Sequence, residues 1–442
     1  MQSHLNQNEA LTFLAPDSVD AAVMVSCAFA GFIALILGIY WPLYAVNPDL
    51  AVAMLRPAIV GACFVLLLVW NRLSVTRAEM TMGSLMMFQC VLLLIPTLAA
   101  TDPGRAFSDW AKLLILCVLA VVVARALRDE STANVFGFVL LIAAIILALL
   151  TIFAYLKFMG PVMPTYKSAR AFKGIAVKQG IPLNAIPFAS VLAFLCSMCL
   201  ARFHTWYRYA IGLVIFTVSF VLTGSRTPLA VSLLSGLGVI MLGGFRSRKL
   251  FTRFVTYCTI LAIVIGIGVF MSRTSFSQMS SLSEGRWDLW SVACDKFVEH
   301  PIFGSGFESW RDDLVSRLPG EYSLTASIEK NIAGGYHNEY LTLLAEQGLI
   351  GFIATMIVFG YLFRCSWKLA YNQCLVWQHG RWALFTCLFV LLRASLEVPG
   401  LFGYGQEPAD FLAFFFFAMV VSRVSREEQV GNPYFVSSTV GV

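Results

Sequence analysis

Charge is what this sequence has least of. Only 13% of its 442 residues are Asp, Glu, Lys or Arg, against about 25% in soluble domains. That excludes an ordinary water-soluble domain, and the 59% of hydrophobic residues point to a lipid bilayer as the solvent. Acids separated by a single residue are missing as well. No two carboxylates stand at D-x-D or E-x-D spacing, which removes the metal–diphosphate bridge of many sugar-transferring enzymes. There is no P-loop, no dinucleotide fingerprint and no H-E-x-x-H. The apolar runs hold almost no carboxylates at mid-depth, and coupled carriers normally need them there. The first 20 residues lack a basic start and a small-residue cleavage site. No removable signal peptide is therefore expected, and the first apolar run is read as a retained span.

Cysteine is not scarce, but its placement argues against redox chemistry. Cys27, Cys63, Cys90, Cys117, Cys196, Cys199, Cys258 and Cys387 lie in or beside apolar runs. Cys196 and Cys199 form a C-x-x-C with no second pair or histidine cluster to complete a metal site. They read as small packing residues. Cys294 stands alone in the longest polar connection, so that connection has no internal disulfide.

What is present is a series of apolar runs. Each bilayer crossing takes roughly 20 apolar residues, and only helices satisfy their own backbone in lipid when no sheet is closed. Runs near 21–46, 54–70, 82–100, 107–126, 134–156, 181–201, 207–223, 227–245, 251–271, 339–363, 379–396 and 408–423 predict twelve transmembrane helices in a single polytopic domain, 1–442. Alternate connections carry Arg72/Arg77, Arg125/Arg128, Arg202/Arg208, Arg246/Arg248/Lys249/Arg253, Arg364/Lys368/Arg381 and Arg423/Arg426. The positive-inside rule makes these connections, and both termini, cytoplasmic.

Cations on the opposite side break that rule. The connection 157–180 holds Lys157, Lys167, Arg170, Lys173 and Lys178, and Arg226 sits in the tight turn "TGSRTP". A long insert, 272–338 between spans 9 and 10, holds Arg273, Arg286, Lys296, Arg311, Arg317 and Lys330. A solvated surface accounts for part of this set; an anionic ligand on that side accounts for the rest. The insert is expected to be helical. Ser283 can cap a helix through "EGRWDLW", with Trp287, Trp290, Ala293, Cys294 and Phe297 on its apolar face, ending at His300-Pro301. A second short helix is expected near Trp310–Arg317.

Three groups in this region have useful chemistry. Arg226 and Arg286 offer donor forks suited to phosphate oxygens, and Arg286 stands at a helix N-terminus, itself an anion site. His337, one of five histidines, is placed to move a proton near neutral pH. A lone histidine is as readily a structural hydrogen-bonding group, and both readings stand at this level. Tyr336, Asn338 and Glu339 either orient His337 or bind sugar, with helix capping by Asn338 as the alternative. Glu397 and Arg393 form an i, i+4 pair that is either a local ion pair or functional.

The stretches "EGRWDLWSVACDKFVEHPIFGSGFESW" and "YHNEYLTLLAEQGLIGF" resemble the signature region of the O-antigen ligase family. The shared pattern is an Arg-Trp helix, a P-x-x-G-x-G turn, and a His-Asn-x-Tyr/Phe-Leu segment leading to a Glu-x-Gly break. It covers residues 281–363, and "LTGSRTPLAV" at 222–231 is similar to the family's outside-turn arginine motif. The resemblance implies a GT-C-like membrane glycosyltransferase of the bacterial inner membrane, with its active site facing the periplasm. The implied donor is O-antigen on undecaprenyl diphosphate and the implied acceptor is lipid A–core oligosaccharide, with no cofactor, metal or nucleic acid. The family's histidine falls on His337 and its arginines on Arg226 and Arg286. Arg170, Lys173 and Lys178 are added candidates for holding the diphosphate or the phosphorylated acceptor. An O-antigen polymerase or a protein O-oligosaccharyltransferase of the same superfamily, and a lipid-linked sugar transporter, are the alternatives.

Overall fold

The computed structural model describes residues 76–98, 100, 103–160, 185–200, 206–222, 231–239, 286–306, 309, 336, 338–371, 377–395 and 408–429. Among these residues the regular structure is helical throughout, with no strand. In chain order the helices are α1 (Arg77–Leu98), α2 (Pro103–Ala126), α3 (Glu130–Met159), α4 (Ala185–Leu200), α5 (Trp206–Val221), α6 (Arg286–Glu299), α7 (Glu339–Tyr371), α8 (Trp377–Ala394) and α9 (Pro408–Gln429). A further helical segment covers 231–239. The stretches Arg77–Leu98, Ala106–Ala126, Glu130–Met159 and Glu339–Tyr371 are long and apolar enough to cross a membrane, and Ile186–Leu200 and Tyr207–Ser219 are shorter apolar helices. The protein is a multi-pass membrane protein. The expected spans 21–46, 54–70 and 251–271 lie outside the described residues, as does the expected helix near Trp310–Arg317.

The distribution of side chains is the reverse of a soluble bundle. Large apolar side chains point outward along one stripe of α1 (Met80, Met87, Phe88, Val91, Ile95) and one of α3 (Phe138, Ile142, Ile146, Leu149, Phe153). Their spacing of three and four residues is a single helical face, suited to hydrocarbon. Polar groups are inside. Gln89 on α1 donates to Thr355 on α7 at 2.8 Å, and the Ser190 hydroxyl on α4 donates to the Ala144 carbonyl on α3 at 2.6 Å. Between membrane helices such bonds and close packing replace the hydrophobic drive.

Two helices sit centrally. α9 packs on α1, α2, α4 and α7, and α4 packs on α3, α5, α8 and α9. In α9 every residue from Leu412 to Ser422 is buried, with Phe415 against Phe136 and Phe417 stacked on Phe359. Cys196 and Cys199 are buried in α4, and the Cys199 thiol lies 3.7 Å from the Thr386 hydroxyl of α8. Packing, as the spacing suggested, is their role.

The bundle has two unlike ends. One collects the charges of the basic connections. Thr76 and Glu79 form a capping box at the start of α1: Glu79 accepts from the Thr76 amide at 3.1 Å, and Thr76 Oγ1 accepts from the Glu79 amide at 3.3 Å. Arg128 Nε meets Glu79 Oε1 at 3.1 Å, Arg426 meets Glu130 at 2.6 Å, and Arg423 caps α4 on the Leu200 carbonyl at 3.1 Å. Asp129 caps α3, accepting from the Thr132 amide at 2.8 Å. The opposite end carries the turn after α6, the start of α7 and the close of α8, and it is there that the candidate chemistry lies.

Candidate functional site

α6 runs from Arg286 and stops where Pro301 cannot continue the ladder, while its expected cap, Ser283, lies outside the described residues. The His300 amide still reaches the Lys296 carbonyl at 3.1 Å. The inner face of α6 is Leu289, Val292 and Ala293, which pack on Tyr336, Leu341 and Ala345. This corrects the expected apolar face: of its members Ala293 is buried, Trp290 and Phe297 are half-buried, and Cys294 is exposed. Partial desolvation raises the Cys294 thiol pKa, with the charge of Asp295 adding to the effect.

α7 is interrupted. Gly348 has φ 64° and ψ −168° inside the helix, a combination essentially confined to glycine. A continuous helix would pair the amides of Leu349 and Ile350 with the carbonyls of Ala345 and Glu346. Instead the turn after α6 takes all four groups. Leu349 donates to the Pro301 carbonyl at 2.9 Å and Ile350 to the Ile302 carbonyl at 3.2 Å. In return Ser305 donates to Ala345 at 3.0 Å and Gly306 to Glu346 at 2.8 Å. Four bonds thus re-pair these four backbone groups in a water-poor setting, where leaving each unpaired would cost several kcal/mol (roughly 2–7).

Glycine is required on both sides of this junction. Gly304 and Gly306 have φ of 71° and 96°. A Cβ on Gly304 would lie 2.3 Å from Glu346 backbone atoms, and one on Gly348 would lie 2.4 Å from the Ile302 carbonyl oxygen. A Cβ on Gly306 would meet Ala100 at 2.2 Å, so the same turn also seats on the end of α1. The Ser305 hydroxyl adds a 3.0 Å bond to the Ala345 carbonyl and contacts Ser309.

The result is an α6–α7 hairpin, closed at Gly304–Gly348 and open where α6 begins and α7 starts. At the open end Tyr336 is wholly buried against Val292 and Ala293. Asn338 is the N-cap of α7: its Oδ1 accepts from the Leu341 amide at 3.1 Å, and its carbonyl accepts from Thr342 N and Oγ1, both at 3.0 Å. Glu339, in the first turn, is buried, as are Glu346 and Gln347 beside the break. Tyr340 ties this end to α8 through a 2.8 Å bond to the Leu391 carbonyl.

His337 lies outside the described residues, between the two described neighbours Tyr336 and Asn338. Arg226, Arg170, Lys173 and Lys178 also lie outside them, and Glu397 with them. Arg286 is the first residue of α6; its side chain is outside the description. The structure thus brings together the backbone of Arg286, Tyr336, Asn338 and Glu339 on one hairpin. Arg393, expected either in a local ion pair with Glu397 or in a functional one, belongs at this end too. Arg393, buried near the close of α8, holds its guanidinium 3.4 Å above the Phe188 ring of α4. Leu391, two residues before it, is the partner of Tyr340, so Arg393 stands at the same level of the bundle as the start of α7.

Comparison with known proteins falls on this same region. Residues 211–356 match the family described as O-antigen ligase. The match covers about a third of the chain and makes that region similar to the O-antigen ligase/polymerase superfamily. No curated protein matches it. The matched segment takes in α5 from residue 211 on, the segment 231–239, α6, the glycine junction and the first part of α7, together with positions 226, 286 and 337. Members of the O-antigen ligase family are glycosyltransferase-like ligases and polymerases.

Proposed function

We propose that this protein is an O-antigen ligase, moving the polysaccharide of an undecaprenyl diphosphate donor to a sugar hydroxyl of lipid A–core oligosaccharide. The observation that carries the reading is the α6–α7 hairpin within the family match. Its open end starts with Arg286 on one arm and with the Tyr336–Asn338 segment, which encloses His337, on the other. The chain would reside in the bacterial inner membrane with twelve spans in a GT-C-like arrangement, both termini cytoplasmic and this end periplasmic.

In the reaction, His337 takes the proton from the acceptor hydroxyl as its oxygen attacks the anomeric carbon. The new C–O bond forms on the face opposite the diphosphate, the old C–O bond to phosphate breaks, and the configuration inverts. Arg226 and Arg286 hold the diphosphate and stabilise the negative charge it carries away, with Arg170, Lys173 and Lys178 as further donors. General-base help of this kind contributes about 10²- to 10⁴-fold. Lipid diphosphate is already a good leaving group, and the sequence has no D-x-D pair, so the transfer is taken to need no metal.

The test is a reconstitution. Purified protein, lipid-linked O-antigen and lipid A–core are incubated in the presence of a strong chelator, and lipopolysaccharide is resolved on a gel. A ladder of core-linked polysaccharide is expected. Growth of the lipid-linked chain without transfer to core would make the protein a polymerase, and activity restored only by magnesium or manganese would overturn the metal-independent step.

A further inference from the structure

We propose that the junction between the Pro301–Gly306 turn and the Gly348 break is a positioning device for transfer, acting through the hairpin it closes. The inference rests on the transferase reading above. None of Gly304, Ser305, Gly306 or Gly348 stands at the open end. Their contribution is to fix the angle at which α6 leaves α7, and through that angle the separation of Arg286 from the segment around His337.

The geometry argues for a fixed hinge rather than a loose turn. Four backbone hydrogen bonds of 2.8–3.2 Å and one hydroxyl bond of 3.0 Å cross the junction. Both strands of the contact are held in glycine-only backbone, and each glycine faces a carbonyl or peptide of the other within 2.5 Å of a would-be Cβ. The third contact, Gly306 on Ala100, ties the hinge to the end of α1, so the hairpin is also fixed relative to the bundle. On the near side of the hinge, Leu289, Val292 and Ala293 interlock with Tyr336, Leu341 and Ala345, which makes the two arms one rigid piece. A methyl group at Gly348 must push Ile302 back by about 1 Å to reach ordinary van der Waals contact. A displacement of that size at reacting groups can cost about 100-fold in rate.

The experiment uses the full chain with lipid-linked O-antigen as donor and lipid A–core as acceptor. For Gly348→Ala and Gly304→Ala, kcat is expected to fall about 100-fold, while donor bound per protein at saturation stays at the wild-type stoichiometry. Loss of donor stoichiometry in step with activity would instead mean partial unfolding and would overturn the positioning role. Ser305→Ala keeps the backbone bond and removes the hydroxyl's contacts with Ala345 and Ser309; a loss of about fivefold in kcat is expected, with KM for the donor unchanged. Ser305→Ala within 1.5-fold of wild type and Gly348→Ala within threefold would sink the proposal while leaving the ligase reading intact. No transfer by the unmodified protein would sink both.

Discussion

Asn338 separates a structural role from a chemical one at the residue next to His337. Its Oδ1 accepts the Leu341 amide at 3.1 Å, and its carbonyl starts the α7 ladder at Thr342. That is an N-cap, and replacing an N-cap Asn by Ala costs about 1 kcal/mol, in the range 0.5–2. If the cap is what Asn338 supplies, Asn338→Ala slows transfer by roughly fivefold through fraying of the first turn of α7, at about 1.4 kcal/mol per decade. Asp and Ser accept the same amide hydrogen bond, so Asn338→Asp and Asn338→Ser should stay within about twofold of wild type. The assay is initial rate of core-linked product with purified variants, alongside thermal melting in the same detergent. A sugar-binding role through the amide NH2 makes the opposite demand, because ionised Asp has no donor there and Ser replaces the amide by a shorter hydroxyl. Asp and Ser variants as impaired as Ala, with unchanged melting temperature, would refute the capping argument.

Other consequences follow from the two ends of the bundle. Glu79 caps α1 and neutralises Arg128 in a buried setting, so Glu79→Ala should destabilise by about 3–5 kcal/mol, while the Glu79→Ala/Arg128→Ala pair costs less than the sum; additive losses in chemical denaturation would contradict the pairing. Cys294 is the exposed cysteine among those described, and partial desolvation, with the charge of Asp295, raises its thiol pKa. A membrane-impermeant maleimide should therefore label intact spheroplasts at Cys294, faster at pH 8.5 than at pH 7, and the signal should vanish in Cys294→Ser. Labelling only after permeabilisation would reverse the proposed orientation. Asp129 is partly desolvated, which opposes ionisation, but hydrogen bonds from Ser131 and Thr132 and the charge of Arg426 outweigh this and lower its pKa. A depressed carboxyl stabilises the fold above its unfolded pKa of about 4 and loses that contribution as pH falls through the folded value. Asp129→Asn, which keeps the cap, should flatten the acid limb of the melting curve below about pH 4, and an unchanged acid limb would remove Asp129 from the account.

Much of the helical layout could be read from composition, because apolar runs flanked by charge leave the backbone no alternative in lipid. The starts of α7 at Glu339 and α9 at Pro408 fall where the runs begin. Less was legible in α6. Its periodicity shows a helix, but which edge turns inward depends on the surface it meets, and Tyr336 and Ala345 take Leu289, Val292 and Ala293, leaving Cys294 exposed. The P-x-x-G-x-G turn and the Glu-x-Gly break were each visible as local glycine patterns. Their union was not, since no local pattern states that Ser305 and Gly306 will take the carbonyls of Ala345 and Glu346. Arg393 looked like half of an i, i+4 pair, and only the packing of α4 on α8 reveals Phe188 beneath it. The signal available was its burial-prone position, near the end of an apolar run and far from the basic connections.

The central claim is that the open end of the hairpin performs transfer with His337 as base. It is tested most directly by the single-turnover rate of polysaccharide transfer to lipid A–core for His337→Ala against wild type, at matched donor occupancy. The account predicts a loss of at least about 100-fold, the lower bound for removing a general base, with donor binding retained. Transfer within a few fold of wild type at the same occupancy would contradict it.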